Sequence, residues 1–215
     1  ENVRENYRRF CAAVGTDAQR VVLSKQIHED GVRHVTEADA GKGLWQERDY
    51  SSVDGMVTDA PHLPLVVFSA DCNVILLHDP VRGAIGACHA GWRGTALGIA
   101  AKTVREMVRL FGCDTANIHA AIGPAIGQCC FETDADVPEA LQAALGDEVS
   151  PYITWDAQKY HVDLKAINAL WLRKSGVTQI DISTACTACE PELYWSHRKM
   201  GNARGSQVAM ISLED

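Results

Sequence analysis

Three residues in this chain have the types and settings for metal chemistry: Cys72 in FSADCN, His89 in ACHAGWRG and His28 in KQIHEDG. A thiolate and two imidazoles make the ligand set of a catalytic zinc with one position open for water or substrate, whereas a closed structural site takes a fourth protein ligand. No two of the three lie within helical reach of each other, so only the fold can assemble them. On spacing alone, the plainer reading of Cys72 is a small buried hydrophobe. Two strands can do the assembling. Val74 to Leu77 and Ala84 to Ala87 are short, apolar, β-prone runs joined by HDPVRG, a connection with the Pro and Gly of a hairpin turn. Antiparallel pairing brings Cys72, just before the first strand, and His89, just after the second, to one end of a sheet.

Other residues nearby have readings of both kinds. Arg93 and Gly94 precede a helix expected over 95–111, where a guanidinium and free amides make an anion site; the plainer reading pairs Arg93 with a carboxylate. Asp71, beside Cys72, has the chemistry of a general base or of a partner to a histidine ligand. Arg198 and Arg204 in SHRKMGNARG either extend a basic wall or are solvated charges around a turn. Cys186-Thr187-Ala188-Cys189 is a C-x-x-C without a second such pair, and the adjacent Cys129 and Cys130 are expected to diverge. The nucleobase deaminase signature is absent, since Ala185 stands where it needs Pro and His28-Glu29 lacks the spacer. These thiols are therefore read as structural or pocket-lining. No H-x-H occurs, and His34, His62, His78, His119, His161 and His197 have no histidine partner at metal-pair spacing. That speaks against a cupredoxin-type copper cluster.

The elements that must position these residues interleave. Residues 1–14 read as an amphipathic helix stopped by Gly15, followed by strand character at 21–24 and 32–36 and a polar loop over 37–52. Strands are expected at 55–58, 65–69, 118–122, 160–162, 179–182 and 206–211, with helices at 137–145 and 164–174. Hairpins among alternating strands and helices give an α+β, or mixed α/β, class: one layered domain over 1–215, with central sheets flanked by helices. The chain opens on Glu1 with no strand before its first helix, so a short native N-terminal segment is expected to be missing. A formal net charge of −8 argues against a nucleic-acid partner, and no apolar run approaches a membrane span. The opening residues are too charged for a signal peptide, so a cytoplasmic protein with reduced thiols is expected.

The segments KQIHEDGV, SADCNVILLHD, GACHAGWRGTALGI, IGPAIGQCCFE and SHRKMGNARGSQVAMI resemble the motif series of the YfiH family, also called the laccase-domain or multicopper polyphenol oxidoreductase family. The resemblance spans almost the whole chain. It implies a fold like that of the YfiH proteins and the cytotoxic necrotizing factors, and zinc held by His28, Cys72 and His89, with copper as an alternative occupant. It also implies that Cys186 and Thr187 lie near the site, and that Cys72, His89, Asp71 and Arg93 carry chemistry while Arg93, Gly94, Arg198 and Arg204 bind substrate. The activity it implies is phosphorolysis of adenosine, inosine and methylthioadenosine to base and the sugar 1-phosphate, together with deamination of adenosine. The partners would be a small nucleoside and phosphate; oligomeric state is left open. Two alternatives stand beside this: copper-dependent oxidation of phenols, and a metal-free thiol hydrolase or amidase in which His89 activates Cys72.

Overall fold

The computed structural model describes residues 1–214. In chain order its elements are α1 (Asn2–Val14), β1 (Val22–Leu23), β2 (Val32–His34), β3 (Gly55–Thr58), β4 (Leu65–Ser69), β5 (Asn73–Asp79), β6 (Ala84–Ala90), α2 (Trp92–Ala96) and α3 (Ile99–Phe111). There follow β7 (His119–Ile122), β8 (Glu132–Thr133), α4 (Asp136–Leu145), β9 (Ile153–Trp155), β10 (Tyr160–Val162), α5 (Leu164–Lys174), β11 (Gln179–Ile182), α6 (His197–Met200) and β12 (Gln207–Ile211). The result is a mixed α/β fold of three sheets flanked by helices.

A six-stranded sheet in the order β11-β7-β5-β6-β3-β2 forms the centre. β5 and β6 pair antiparallel with Val74 opposite His89, so the residues preceding β5 and closing β6 meet at one end. Neither strand shows simple alternation, because the sheet is covered on both faces. On one face α3 packs on β6 and β3, sealing Ile75, Leu77, Cys88, Ile99, Val104 and Met107. On the other, the small sheet β1-β4-β12 closes over Met56, Leu65, Val67, Ile85 and Ala87. Each large side chain fully buried this way contributes about 1.5–3 kcal/mol. Gly86 makes the α3 contact close: a Cβ there would stand 3.1 Å from Thr103 and 3.2 Å from the Met107 sulfur.

The helix expected over 95–111 is two helices. α2 has five residues, and Gly98, at φ 74°, turns the chain before α3 begins. The left-handed conformation is one that Gly adopts without a Cβ penalty, which the continuous apolar pattern does not reveal. Within the expected loop over 37–52, Asp39 is buried and caps a short 3-10 turn. β8, β9 and α6 lie outside the expected elements; all three are short, and β9 is largely exposed. Among the described residues no helix is long and apolar enough to cross a membrane.

Candidate metal centre

His28, Cys72 and His89 are brought together as the sequence implied, with their ligand atoms all within 4.8 Å of one another. His89 closes β6, Cys72 follows the turn out of β4, and His28 comes from the connection between β1 and β2. The rings of His28 and His89 meet edge to face at 4.9 Å between centroids. His28 has φ 65° and Asp71 has φ 92°. Such backbone costs about 1–3 kcal/mol at each non-glycine residue and is held only where the surroundings over-determine it.

Asp54 supplies that determination, and nothing in the sequence spacing had marked it. Its fully buried carboxylate accepts the backbone N–H groups of Ile27 (2.9 Å), His28 (3.1 Å) and Glu29 (3.2 Å), fixing the His28 turn. The same carboxylate lies 2.9 Å from Nδ1 of His89, and the Asp54 carbonyl accepts the His89 N–H at 2.8 Å. An Nδ1–H donated to Asp54 leaves Nε2 of His89 as the ligand atom. Burial pushes the Asp54 carboxyl up, but the His89 hydrogen bond and the Ile27 and Glu29 amides hold it below its ordinary value. Asp54 stands immediately before β3, and only the pairing of that strand with β6 at Gly55 and Cys88, not its place in the sequence, marks it out.

The electrostatics suit a metal. Burial pushes the Cys72 thiol up, yet hydrogen bonds from His28 and His89 and the charge on their rings bring it down to about 6. For His89, burial lowers the pKa while Asp54 and Cys72 raise it to about 9. Gly91 leaves the space open: a Cβ there would stand 2.9 Å from His28 and 3.2 Å from the Cys72 sulfur. The donor set, the open cradle and the oriented imidazole all fit a thiophilic divalent ion such as zinc.

These three residues form the floor of a cavity of about 660 Å³. Phe68, Trp92 and Phe131 give it aromatic walls, and Lys25, Arg48, Arg198 and Arg204 give it four cationic side chains. Among the described residues its one acidic lining residue is Asp71, whose carboxylate already accepts from the Thr187 hydroxyl (2.6 Å) and the Arg198 backbone N–H (2.7 Å). A basic cavity in a chain of net charge −8 is a local inversion, and Lys25 and Arg48 were not singled out by sequence.

The remaining expected site residues are distributed unevenly. Arg198 lines the cavity and is pinned by its guanidinium to the carbonyls of Cys130 (3.1 Å) and Glu132 (2.8 Å). Arg204 lines it too, held by Ser206 and the Gly205 carbonyl. Arg93 does not line it: the side chain is exposed, its guanidinium 4.2 Å from the centroid of the Trp92 ring. Gly94 is buried instead against the His28 turn, where a Cβ would stand 3.1 Å from the Glu29 carbonyl oxygen. Thr187 is buried behind Asp71, and Cys186 sits with three other cysteines. Cys129 and Cys130 do not diverge, because the turn after Gly127 puts their sulfurs 3.8 Å apart.

Comparison with known proteins agrees with the fold. The family described as multi-copper polyphenol oxidoreductase laccase matches residues 1–214. The purine nucleoside phosphorylase YlmD of Bacillus subtilis is 33% identical over 221 residues, covering 100% of this chain and 78% of that protein. A purine nucleoside phosphorylase of Deinococcus radiodurans is 36% identical over 212 residues, covering 98% and 77%. The crystal structure of YlmD from Geobacillus stearothermophilus superposes with a TM-score of 0.92 at 34% identity, covering 99% of this chain and 80% of that one.

Proposed function

The chain belongs to the multi-copper polyphenol oxidoreductase laccase family, and from that premise we propose that it is a zinc-dependent purine nucleoside phosphorylase that also deaminates adenosine. The substrates on this reading are adenosine, inosine and methylthioadenosine. The observation that carries it is the convergence, in one cavity, of an open three-ligand metal centre, aromatic walls and four cationic side chains. Relatives named purine nucleoside phosphorylase support the same reading.

On this reading His28, Cys72 and His89 hold the metal, which when bound supplies Lewis acidity to an oxygen nucleophile. Phe68, Trp92 and Phe131 receive the base, since π faces and apolar walls suit a purine without demanding one substituent pattern. Lys25, Arg48 and Arg204 attract phosphate and hold it in the cavity, and Arg198 shapes the wall beside them. Phosphorolysis breaks the bond from the base to the sugar anomeric carbon and joins that carbon to a phosphate oxygen. The leaving base keeps the electron pair and takes up a proton, which dihydrogen phosphate gives up, so the exchange balances. Asp71, with both oxygens engaged, is assigned to positioning the Cys72 turn and the Arg198 segment.

The test is product analysis on zinc-loaded protein with inosine and phosphate. Free base and ribose 1-phosphate in equal amounts, dependent on phosphate and lost in C72A, support the reading; free base with ribose and no phosphate dependence overturns phosphorolysis. A second reading has its own observation: Cys72, His89 and Asp54 form a thiol–imidazole–carboxylate series with the thiol lowered to about 6, the arrangement of a cysteine nucleophile. Protection of Cys72 from iodoacetamide by stoichiometric zinc favours the metal centre. A covalent adduct that forms at Cys72 in the fully loaded protein favours the nucleophile.

A further inference from the structure

We propose that Cys129, Cys130, Cys186 and Cys189 form a second metal site, a closed tetrathiolate centre for zinc that fixes one wall of the cavity. The four sulfurs all lie within 4.8 Å of one another. The distances are 3.8 Å for Cys129–Cys130, 3.7 Å for Cys129–Cys189 and 3.4 Å for Cys130–Cys189. A disulfide places its sulfurs about 2.05 Å apart, whereas four ligands at about 2.3 Å from a tetrahedral zinc stand about 3.8 Å from each other. The spacing is that of a metal's ligands.

The fold explains why the four meet. β7 and β11 are parallel neighbours, so the segments that follow them leave the sheet at the same end. A backbone bridge between Ala125 and Cys186 and the Thr187 N–H donated to the Ala125 carbonyl (3.1 Å) hold the two segments together. Cys189 closes its turn on the Cys186 carbonyl at 3.0 Å, which presents the C-x-x-C sulfurs on one side. The Gly127 N–H points at the Cys186 sulfur at 3.2 Å, the kind of donor that stabilises a metal-bound thiolate. A side chain at Gly127 would crowd this arrangement, with a Cβ 3.3 Å from the Cys129 sulfur and 3.4 Å from that of Cys186.

Four thiolates and no fifth partner make a closed site, so its work is structural, and soft sulfur donors select zinc over hard cations. On binding, the four thiols lose their protons to solvent and leave a centre of net charge −2. The segments it joins reach the cavity at three points: Ile126 and Phe131 line the wall, and Arg198 is bonded to the Cys130 carbonyl. The site is separate from the His28–Cys72–His89 centre and does not depend on what that centre does.

Zinc content of protein purified reduced, with zinc supplied, tests this by elemental analysis. Two zinc ions per chain in the wild type, one in C72A and one in C186S/C189S are expected. C72A isolates the second site, and its remaining zinc, exchanged for cobalt, should show the intense visible bands of tetrahedral sulfur ligation. C129S, at an exposed position, repeats the measurement with less risk to folding and should lower zinc retention in the presence of a chelator at least tenfold. The proposal is overturned by C72A that carries no zinc, by zinc content unchanged in both C186S/C189S and C129S, or by a disulfide among the four cysteines in zinc-loaded, air-protected protein. Loss of zinc in the cysteine variants with C72A unchanged from wild type would instead remove the first centre and leave this one standing.

Discussion

Asp54 and His89 are joined by a 2.9 Å hydrogen bond between a carboxylate that is 0% exposed and an imidazole that is 3% exposed. Through it one residue outside the candidate ligand set positions two of its three members, because the same carboxylate also collects the amides of the His28 turn. Asp54→Ala should lower zinc affinity by roughly 10–100-fold, the usual cost of losing the partner that orients a histidine ligand. Competition with a chromogenic chelator measures this; unchanged affinity would show that the bond is not what orients His89.

Gly91 has φ −67°, a backbone any residue adopts, so its glycine is required by space rather than by conformation. Gly91→Ala puts a methyl group 2.9 Å from His28 and 3.2 Å from Cys72, so these two side chains must shift from the positions that bring them together. Zinc content should fall severalfold while thermal unfolding of the metal-free protein stays within about 0.5 kcal/mol of wild type. Equal losses in both would mean that Gly91 serves folding instead.

Metal loading should displace protons in two regimes. With Cys72 at about 6 and His89 at about 9, the metal-free pair between those values is a thiolate beside an imidazolium, and ligation requires only His89 to lose its proton. Below about 6 the thiol is protonated as well. Calorimetry of zinc binding to C186S/C189S in buffers of different ionisation heat should find more protons released near pH 5.5 than near pH 7.5. A release that does not change with pH would contradict the thiolate–imidazolium state.

Much of this centre was legible in the sequence because it depends on strand register. Once β5 and β6 are recognised as an antiparallel pair, Cys72 and His89 must meet, whatever the twist of the sheet. Asp54 was not legible, since an Asp before a strand is common and its burial depends on β3 pairing with β6. The cysteine cluster failed to appear for a similar reason: it requires β7 and β11 to be neighbours, a parallel contact between strands separated by α4, three short strands and α5. The break between α2 and α3 was hidden by apolar periodicity that continues across Gly98.

Asp39 ties the 37–52 segment to the rest of the fold, accepting from Arg33 (2.7 Å), Lys42 (2.8 Å) and the Thr36 N–H (3.0 Å) while only 2% exposed. Burial pushes its carboxyl up, but Lys42, the Thr36 amide and Arg33 bring it down to about 2. A depressed acid contributes stability that is fully present above its ordinary value of 3.8 and is lost as pH falls through about 2. Asp39→Asn should therefore cost on the order of 2 kcal/mol at pH 7, and the gap to wild type should narrow between pH 4 and pH 2. Urea unfolding across that range checks both the magnitude and the window.

The final prediction concerns which cation holds phosphate. The sequence favoured Arg93, by its nearness to His89 and to a helix start, yet its guanidinium stacks 4.2 Å from the centroid of the Trp92 ring and Arg93 does not line the cavity. Arg204 lines the cavity, with its Nη1 on the Gly205 carbonyl and Ser206 and its Nε 3.4 Å from Nδ1 of His197. A charge-assisted contact to phosphate contributes about 2 kcal/mol, roughly thirtyfold in affinity. Arg204→Ala should raise the phosphate requirement for inosine cleavage by about that factor, and Arg93→Ala by no more than about twofold. Adenosine deamination consumes water and no phosphate, so both variants should retain it, which separates loss of the anion from loss of the fold. If Arg93→Ala shows the larger phosphate effect, the guanidinium must swing from Trp92 into the cavity when substrate binds; equal effects on both reactions in Arg204→Ala would assign that residue to the nucleoside.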